Sequence, residues 1–200
     1  MIQMSKLESI LAFNEAFVAN KEYERFKADK FPQKKIVILT CMDTRLVELL
    51  HNAMNLKNGD AKIIRNAGAV ISHPFGSIMR SILVAIYELG AEEVFVIGHY
   101  GCGMTGLSAN SVLQKAEERG IDMDEINALQ YAGVDVNKFL TGFENVTESV
   151  NHSVDMVINH PLLPKDVRVH GLVIDPETGK LDLLQRDLQK GANAKEPQDA

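Results

Sequence analysis

The chain has 200 residues, 46% hydrophobic and 24% charged, with 21 Lys and Arg against 27 Asp and Glu for a net charge of −6. This is the composition of one soluble globular domain, able to bury about 70% of the surface its unfolded form exposes; wholesale disorder, a collagen-like fibre and a disulfide scaffold are excluded. The acidic balance and the lack of any dense basic run leave no electrostatic footing for a nucleic-acid partner or an anionic membrane surface.

Residues 1–30 read as helix: Leu7, Ile10, Leu11, Phe17 and Val18 recur at helical spacing and charges fill the gaps. Phe31-Pro32 breaks the pattern. Ile36-Val37-Ile38-Leu39 is a short β-branched run, expected as a buried strand of a parallel sheet. A helix is expected over Thr44 to Leu56, ended by Asn58-Gly59-Asp60, followed by a second strand at Lys62-Ile63-Ile64 and the loop Asn66-Ala67-Gly68. An apolar helix over Ser77 to Leu89 stops at Gly90, and a third buried strand, Val94-Phe95-Val96-Ile97, runs into Gly98-His99-Tyr100-Gly101-Cys102-Gly103. Residues 108–160 read as mostly helical. Val167 to Ile174 and Leu181 to Leu184 flank Asp175-Pro176-Glu177-Thr178-Gly179, a hairpin signal. Strands alternating with helices predict an α/β fold with a central, mainly parallel sheet. No repeat or linker divides the chain, so residues 1–200 are read as one domain, with a helical arm over 1–30 and a polar tail from Gly191 expected to fray.

The N-terminus has no charged n-region followed by an apolar h-region, and the longest apolar stretches, such as Ser81 to Tyr87, fall far short of a bilayer span. A cytoplasmic protein is expected. In a reducing compartment the two cysteines, Cys41 and Cys102, are more naturally ligands or nucleophiles than a bridge.

Each cysteine lies just past a predicted buried strand, in Thr40-Cys41-Met42-Asp43-Thr44-Arg45 and in His99-Tyr100-Gly101-Cys102. In open α/β sheets ligands bind outside the carboxyl ends of the strands, so the two segments are expected to converge on one edge. Two thiolates and one imidazole suit Zn²⁺ with a fourth position left open, the arrangement that activates a water. Asp43 beside such a site would accept a hydrogen bond and orient the nucleophile, with Arg45 keeping it ionised. The plainer reading has Asp43 capping the helix and Arg45 pairing with Glu48 one turn on. His51, His73, His152, His160 and His170 are isolated and read as structural, with His170 facing the core of an alternating strand.

Two other readings compete. A redox pair is disfavoured because neither cysteine lies in C-x-x-C. Gly101-Cys102-Gly103-Met104-Thr105-Gly106 matches the G-x-G-x-x-G dinucleotide fingerprint, but residues 108–130 read as helix where that motif needs a second strand. The glycines are instead expected to give the backbone room beside Cys102.

Taken together, Cys41-Met42-Asp43-Thr44-Arg45 (C-x-D-x-R) and His99-Tyr100-Gly101-Cys102-Gly103 (H-x-x-C-G) resemble the β-class carbonic anhydrases. Arg65-Asn66-Ala67-Gly68, Val169-His170-Gly171 and Asp175 to Leu181 add to a resemblance covering roughly residues 34–184, nearest the short bacterial and archaeal subgroup. It implies zinc held by Cys41, His99 and Cys102, an Asp43–Arg45 dyad, and reversible hydration of CO₂ to bicarbonate. It also implies that Asp43 can occupy the fourth metal position in a closed, inactive state. A homodimer or dimer-based oligomer follows, with the N-terminal helix packing on the partner. The same scaffold serves carbonyl sulfide and carbon disulfide hydrolases, which stand as the alternative. The chain departs from the family pattern at Ala69, where Asn is frequent, and it has no Trp, which argues against the tryptophan-based bicarbonate site of some members.

Overall fold

A computed structural model describes residues 4–186. Its centre is a five-stranded sheet in the order β2-β1-β3-β4-β5. The strands are β1 (Ile36–Cys41), β2 (Ala61–Asn66), β3 (Glu93–His99), β4 (Arg168–Ile174) and β5 (Leu181–Arg186). The first four are parallel and β5 returns antiparallel, through a turn where Asp175 Oδ1 accepts from the N–H groups of Glu177 and Thr178. The α/β architecture with its closing hairpin is thus as expected. The apolar run at Ile36 continues through Thr40 and Cys41, and all six residues of β1 are buried.

The helices are α1 (Lys6–Ala19), α2 (Leu46–Ala53), α3 (Ser77–Tyr87), α4 (Ala109–Glu118), α5 (Met123–Tyr131), α6 (Val136–Leu140) and α7 (Val146–Ile158). Helices α3 and α7 cover one face of the sheet, packing Met79, Ile82, Val150, Val154 and Val157 on Val37, Val94, Val96 and Val169. Helix α2 covers the other, with Leu46 and Leu50 on Ile36, Ile38 and Ile97. Burying such side chains stabilises the fold by about 1.5–3 kcal/mol each. At Gly98, next to His99, a Cβ would sit 2.7 Å from Val150 Cγ2 and 2.8 Å from Val146 Cγ2. The missing side chain is what lets α7 press against the end of β3.

The connection after β1 passes over one face and the connection after β3 over the other, so a crevice opens where their carboxyl ends lie side by side. The predicted arm is not one helix. Helix α1 ends at Ala19, Lys21 takes φ 56°, and a separate 3-10 turn spans Glu22–Phe26. Ser5 and Glu8 close a capping box on α1, yet no residue of that helix is buried. Leu7, Ile10, Leu11 and Phe13 are all more than half exposed. The expected tail from Gly191 lies outside the described residues. No described helix is long and apolar enough to cross a membrane.

Candidate metal centre

Strand β1 ends at Cys41 and the adjacent β3 ends at His99, so the register of the sheet itself brings these two together. The turn after β3 then carries Cys102 back to them. Cys41 Sγ and Cys102 Sγ lie 3.8 Å apart, and these two sulfurs and a ring nitrogen of His99 all fall within 4.8 Å of one another. All three residues are buried, and both thiols are free. Two sulfurs each ~2.3 Å from a tetrahedral zinc would stand ~3.8 Å apart, so the observed spacing fits that ion.

The imidazole is oriented from behind. His99 Nδ1 donates to the Tyr100 carbonyl at 2.9 Å, which turns Nε2 inward as a lone-pair donor. Nε2 is buried and has no hydrogen-bond partner among the described residues. A buried polar atom left unpaired costs about 1–3 kcal/mol, and an ion between the sulfurs and this nitrogen would satisfy it.

Charge makes the same demand. Burial alone would push the Cys41 thiol up, but the charged form of His99 beside it and the Gly68 N–H, 3.4 Å from Sγ, more than offset this and bring it down to about 7. Burial pushes the Cys102 thiol up to about 11, and the negative Cys41 and Asp43 nearby add to the rise. A pair of thiolates beside a carboxylate needs a cation to be stable together.

Asp43 sits at the mouth of this cluster, its Oδ2 3.7 Å from His99 Nε2. It is held by Arg45 in a fork, with Nε donating to Oδ1 at 3.0 Å and Nη2 to Oδ2 at 2.8 Å; the Arg45 backbone N–H also donates to Oδ1, at 2.9 Å. Those contacts hold the Asp43 carboxyl well below the usual carboxylate range. Arg45 therefore pairs with Asp43, not with Glu48, and α2 starts at Leu46, two residues later than its apolar pattern suggests.

The sequence reading did not assign roles to Arg65, Gly68 or the Tyr100 carbonyl. Arg65 Nε donates to the Cys41 carbonyl at 3.1 Å, and its Nη2 donates to the Asp43 carbonyl at 3.3 Å. Gly68, with φ 81°, turns its N–H onto Cys41 Sγ; a Cβ there would meet Phe143 at 2.9 Å. Ala69 follows at φ 57°, a left-handed conformation that Asn tolerates better and that costs Ala about 1–2 kcal/mol. The parallel pairing of β1 with β2 that creates these contacts is a register no local pattern reveals.

The remaining histidines lie elsewhere. His170 is half-buried, its ring tilted against Phe95 with centroids 4.9 Å apart, and paired with Glu93 at 3.1 Å. His160 is buried, with Nε2 2.9 Å from the Pro74 carbonyl. In the glycine-rich segment after His99, the N–H groups of Thr105, Gly106 and Leu107 donate to the carbonyls of Cys102, Phe143 and Met104. They are thereby committed within the protein, and helices α4 and α5 follow where a dinucleotide site needs a strand.

Residues 36–181 match the carbonic anhydrase family. The chain belongs to that family. Carbonic anhydrases are zinc lyases, and the β class is the branch that the solved structures indicate. The Bacillus subtilis (strain 168) protein YvdA, named provisionally as a carbonic anhydrase, is 65% identical over 184 residues, covering 92% of this chain and 93% of that protein. The crystal structure of β-carbonic anhydrase isoform I from Trichomonas vaginalis is 38% identical and matches with a TM-score of 0.84, covering 92% of this chain and 100% of that one. A carbon disulfide hydrolase from Acidithiobacillus thiooxidans is 30% identical over 178 residues, covering 84% of this chain and 81% of that enzyme. Relatives of this chain are thus named for two different substrates.

Proposed function

We propose that this member of the carbonic anhydrase family catalyses the reversible hydration of carbon dioxide to bicarbonate and a proton. The observation that carries the reading is the convergence of Cys41 Sγ, Cys102 Sγ and the unpartnered His99 Nε2, with the Asp43 carboxylate 3.7 Å from that nitrogen. Cys41, His99 and Cys102 would hold zinc. When bound, zinc brings the pKa of a coordinated water towards about 7 and so supplies a nucleophile at neutral pH.

The chain's own residues do the rest. Asp43, kept ionised by Arg45, accepts a hydrogen bond from the attacking oxygen and points its lone pair at the substrate carbon. Arg45 also reaches the Gly101 carbonyl at 3.4 Å, tying the dyad to the loop that carries Cys102. Met104 and Phe143 belong to the same apolar cluster as the two cysteines and offer a small uncharged substrate a dry wall. The proton released must then pass to solvent past Asp43, whose side chain is 18% exposed. Release of Asp43 from Arg45 would let it turn onto the centre and close it, which makes the Arg45 fork the determinant of the open state.

The setting we propose is cytoplasmic, where two buried thiols this close stay reduced. The assembly we propose is a homodimer, or an oligomer built from dimers, because α1 buries none of its apolar residues within the protomer. The alternative substrate class, carbonyl sulfide or carbon disulfide, draws support from the Acidithiobacillus thiooxidans relative named as a carbon disulfide hydrolase. Parallel assays on zinc-loaded protein separate the two: CO₂ hydration well above sulfide release from either gas supports the proposal, and the reverse ranking replaces it.

A further inference from the structure

Three backbone groups of the loop that carries Cys41 and Asp43 are held from one side, by two consecutive residues at the end of β2. The parallel register sets Thr40 opposite Arg65 and Cys41 opposite Asn66. From there the Asn66 carbonyl accepts from the Met42 N–H at 2.9 Å. The half-buried Arg65 side chain reaches past the end of β1, where Nε donates to the carbonyl of Cys41 at 3.1 Å and Nη2 to the carbonyl of Asp43 at 3.3 Å. No carboxylate lies within ion-pair distance of Arg65 among the described residues. Its hydrogen bonds go to the loop.

We infer that Arg65 is a positioning residue of the metal centre: by bridging the carbonyls of Cys41 and Asp43 it fixes where the thiolate and the carboxylate of this three-residue loop point. A guanidinium is a rigid plane with donors at fixed separation, so one side chain on two carbonyls sets the relative tilt of two peptide planes. Those planes determine the Cα–Cβ directions of Cys41 and Asp43. The first must reach the ion and the second must stand beside it without replacing the open ligand. The guanidinium also places one positive charge behind a loop that presents two anionic groups, which offsets part of their repulsion. A lysine keeps that charge but is a compact point donor on a flexible stem and does not reproduce the bridge.

This inference rests on the proposed zinc centre and is tested on the full chain with Arg65→Lys and Arg65→Gln. Zinc affinity is measured by competition with a chromophoric chelator, and the visible spectrum is recorded after Co²⁺ substitution. The unfolding midpoint of chelator-treated protein reports on the fold alone. The expected result is zinc held about 10–100-fold more weakly in both variants. The cobalt bands change in position or intensity, and the midpoint of the metal-stripped protein stays close to that of the natural chain. Zinc affinity and cobalt spectrum equal to those of the natural chain overturn the inference, whatever the midpoint does. Failure of both variants to fold overturns it too, since Arg65 would then be a staple of the fold. The two levels of failure are distinguishable. Natural protein that binds zinc without hydrating CO₂ defeats the functional reading and leaves the positioning role standing, whereas natural protein that holds no zinc defeats both.

Discussion

The Arg45 guanidinium grips both carboxylate oxygens of Asp43, Nε at 3.0 Å from Oδ1 and Nη2 at 2.8 Å from Oδ2. A carboxylate so held cannot swing freely towards His99 Nε2, 3.7 Å away. Asp43→Ala should therefore keep its zinc and lose about 10²-fold or more in kcat/KM for CO₂ hydration, the usual scale when a reacting group loses its orienting partner. Arg45→Ala should lose a similar factor by a different route, because the freed Asp43 turns onto the centre. Stopped-flow hydration with metal analysis checks both, and Asp43→Ala with undiminished activity removes the role given to that residue.

Acid sensitivity follows from the same contact. Arg45, hydrogen-bonded to both carboxylate oxygens, depresses the folded-state pKa of Asp43 below its ordinary 3.8. A depressed carboxyl contributes stability that is fully present above the unfolded-state value and is lost as pH falls through the folded-state value. The stability difference between the natural chain and Asp43→Asn should thus be constant near neutrality and shrink below about pH 4. Urea midpoints measured across that range give the answer, and a gap that stays constant down to pH 2.5 would sink the assignment.

Packing sets the position of His99. A methyl added at Gly98 would lie 2.7 Å from Val150 Cγ2 and 2.8 Å from Val146 Cγ2 on α7. Gly98→Ala should force α7 outward and destabilise the protein by about 1–3 kcal/mol. Zinc affinity should fall with it, since His99 is the next residue. Chemical unfolding and chelator competition together would expose an error: a variant as stable as the natural chain shows that α7 gives way without cost.

Helix α1 presents Ile10 at 66% exposure and Leu11 at 53%, on a helix with no buried residue. Sedimentation should find a dimer or a multiple of it, and Ile10→Asp with Leu11→Asp should shift the equilibrium towards protomers. Each apolar side chain kept out of the interface costs about 1.5–3 kcal/mol. A natural chain that sediments as a monomer at micromolar concentration contradicts the proposed assembly.

Much of the fold was legible in the residues because buried parallel strands announce themselves as short β-branched runs, as Ile36–Leu39 and Val94–Ile97 do. The candidate ligands were legible because each lies just past such a run, and strand ends in an open α/β sheet share an edge. What stayed hidden depends on pairing. Arg65 meets Cys41 and Asp43 only through the β1–β2 register, and Gly68 meets Cys41 Sγ only through its left-handed turn. The stretch over 108–160 is mostly helical, as its residues suggest, and Gly120 and Gly133, both at positive φ, lie at breaks between its separate helices. Helix α2 starts two residues later than its periodicity indicates, and the Arg45 fork onto Asp43 beside that start is a contact helical periodicity does not encode.

The most direct test joins metal content to turnover in one preparation. The natural chain, purified without added metal, should carry about one zinc per protomer and hydrate CO₂ in a stopped-flow assay, while Cys41→Ser should lose most of both. Full hydration activity in a Cys41→Ser protein that holds no zinc would contradict the account at its centre.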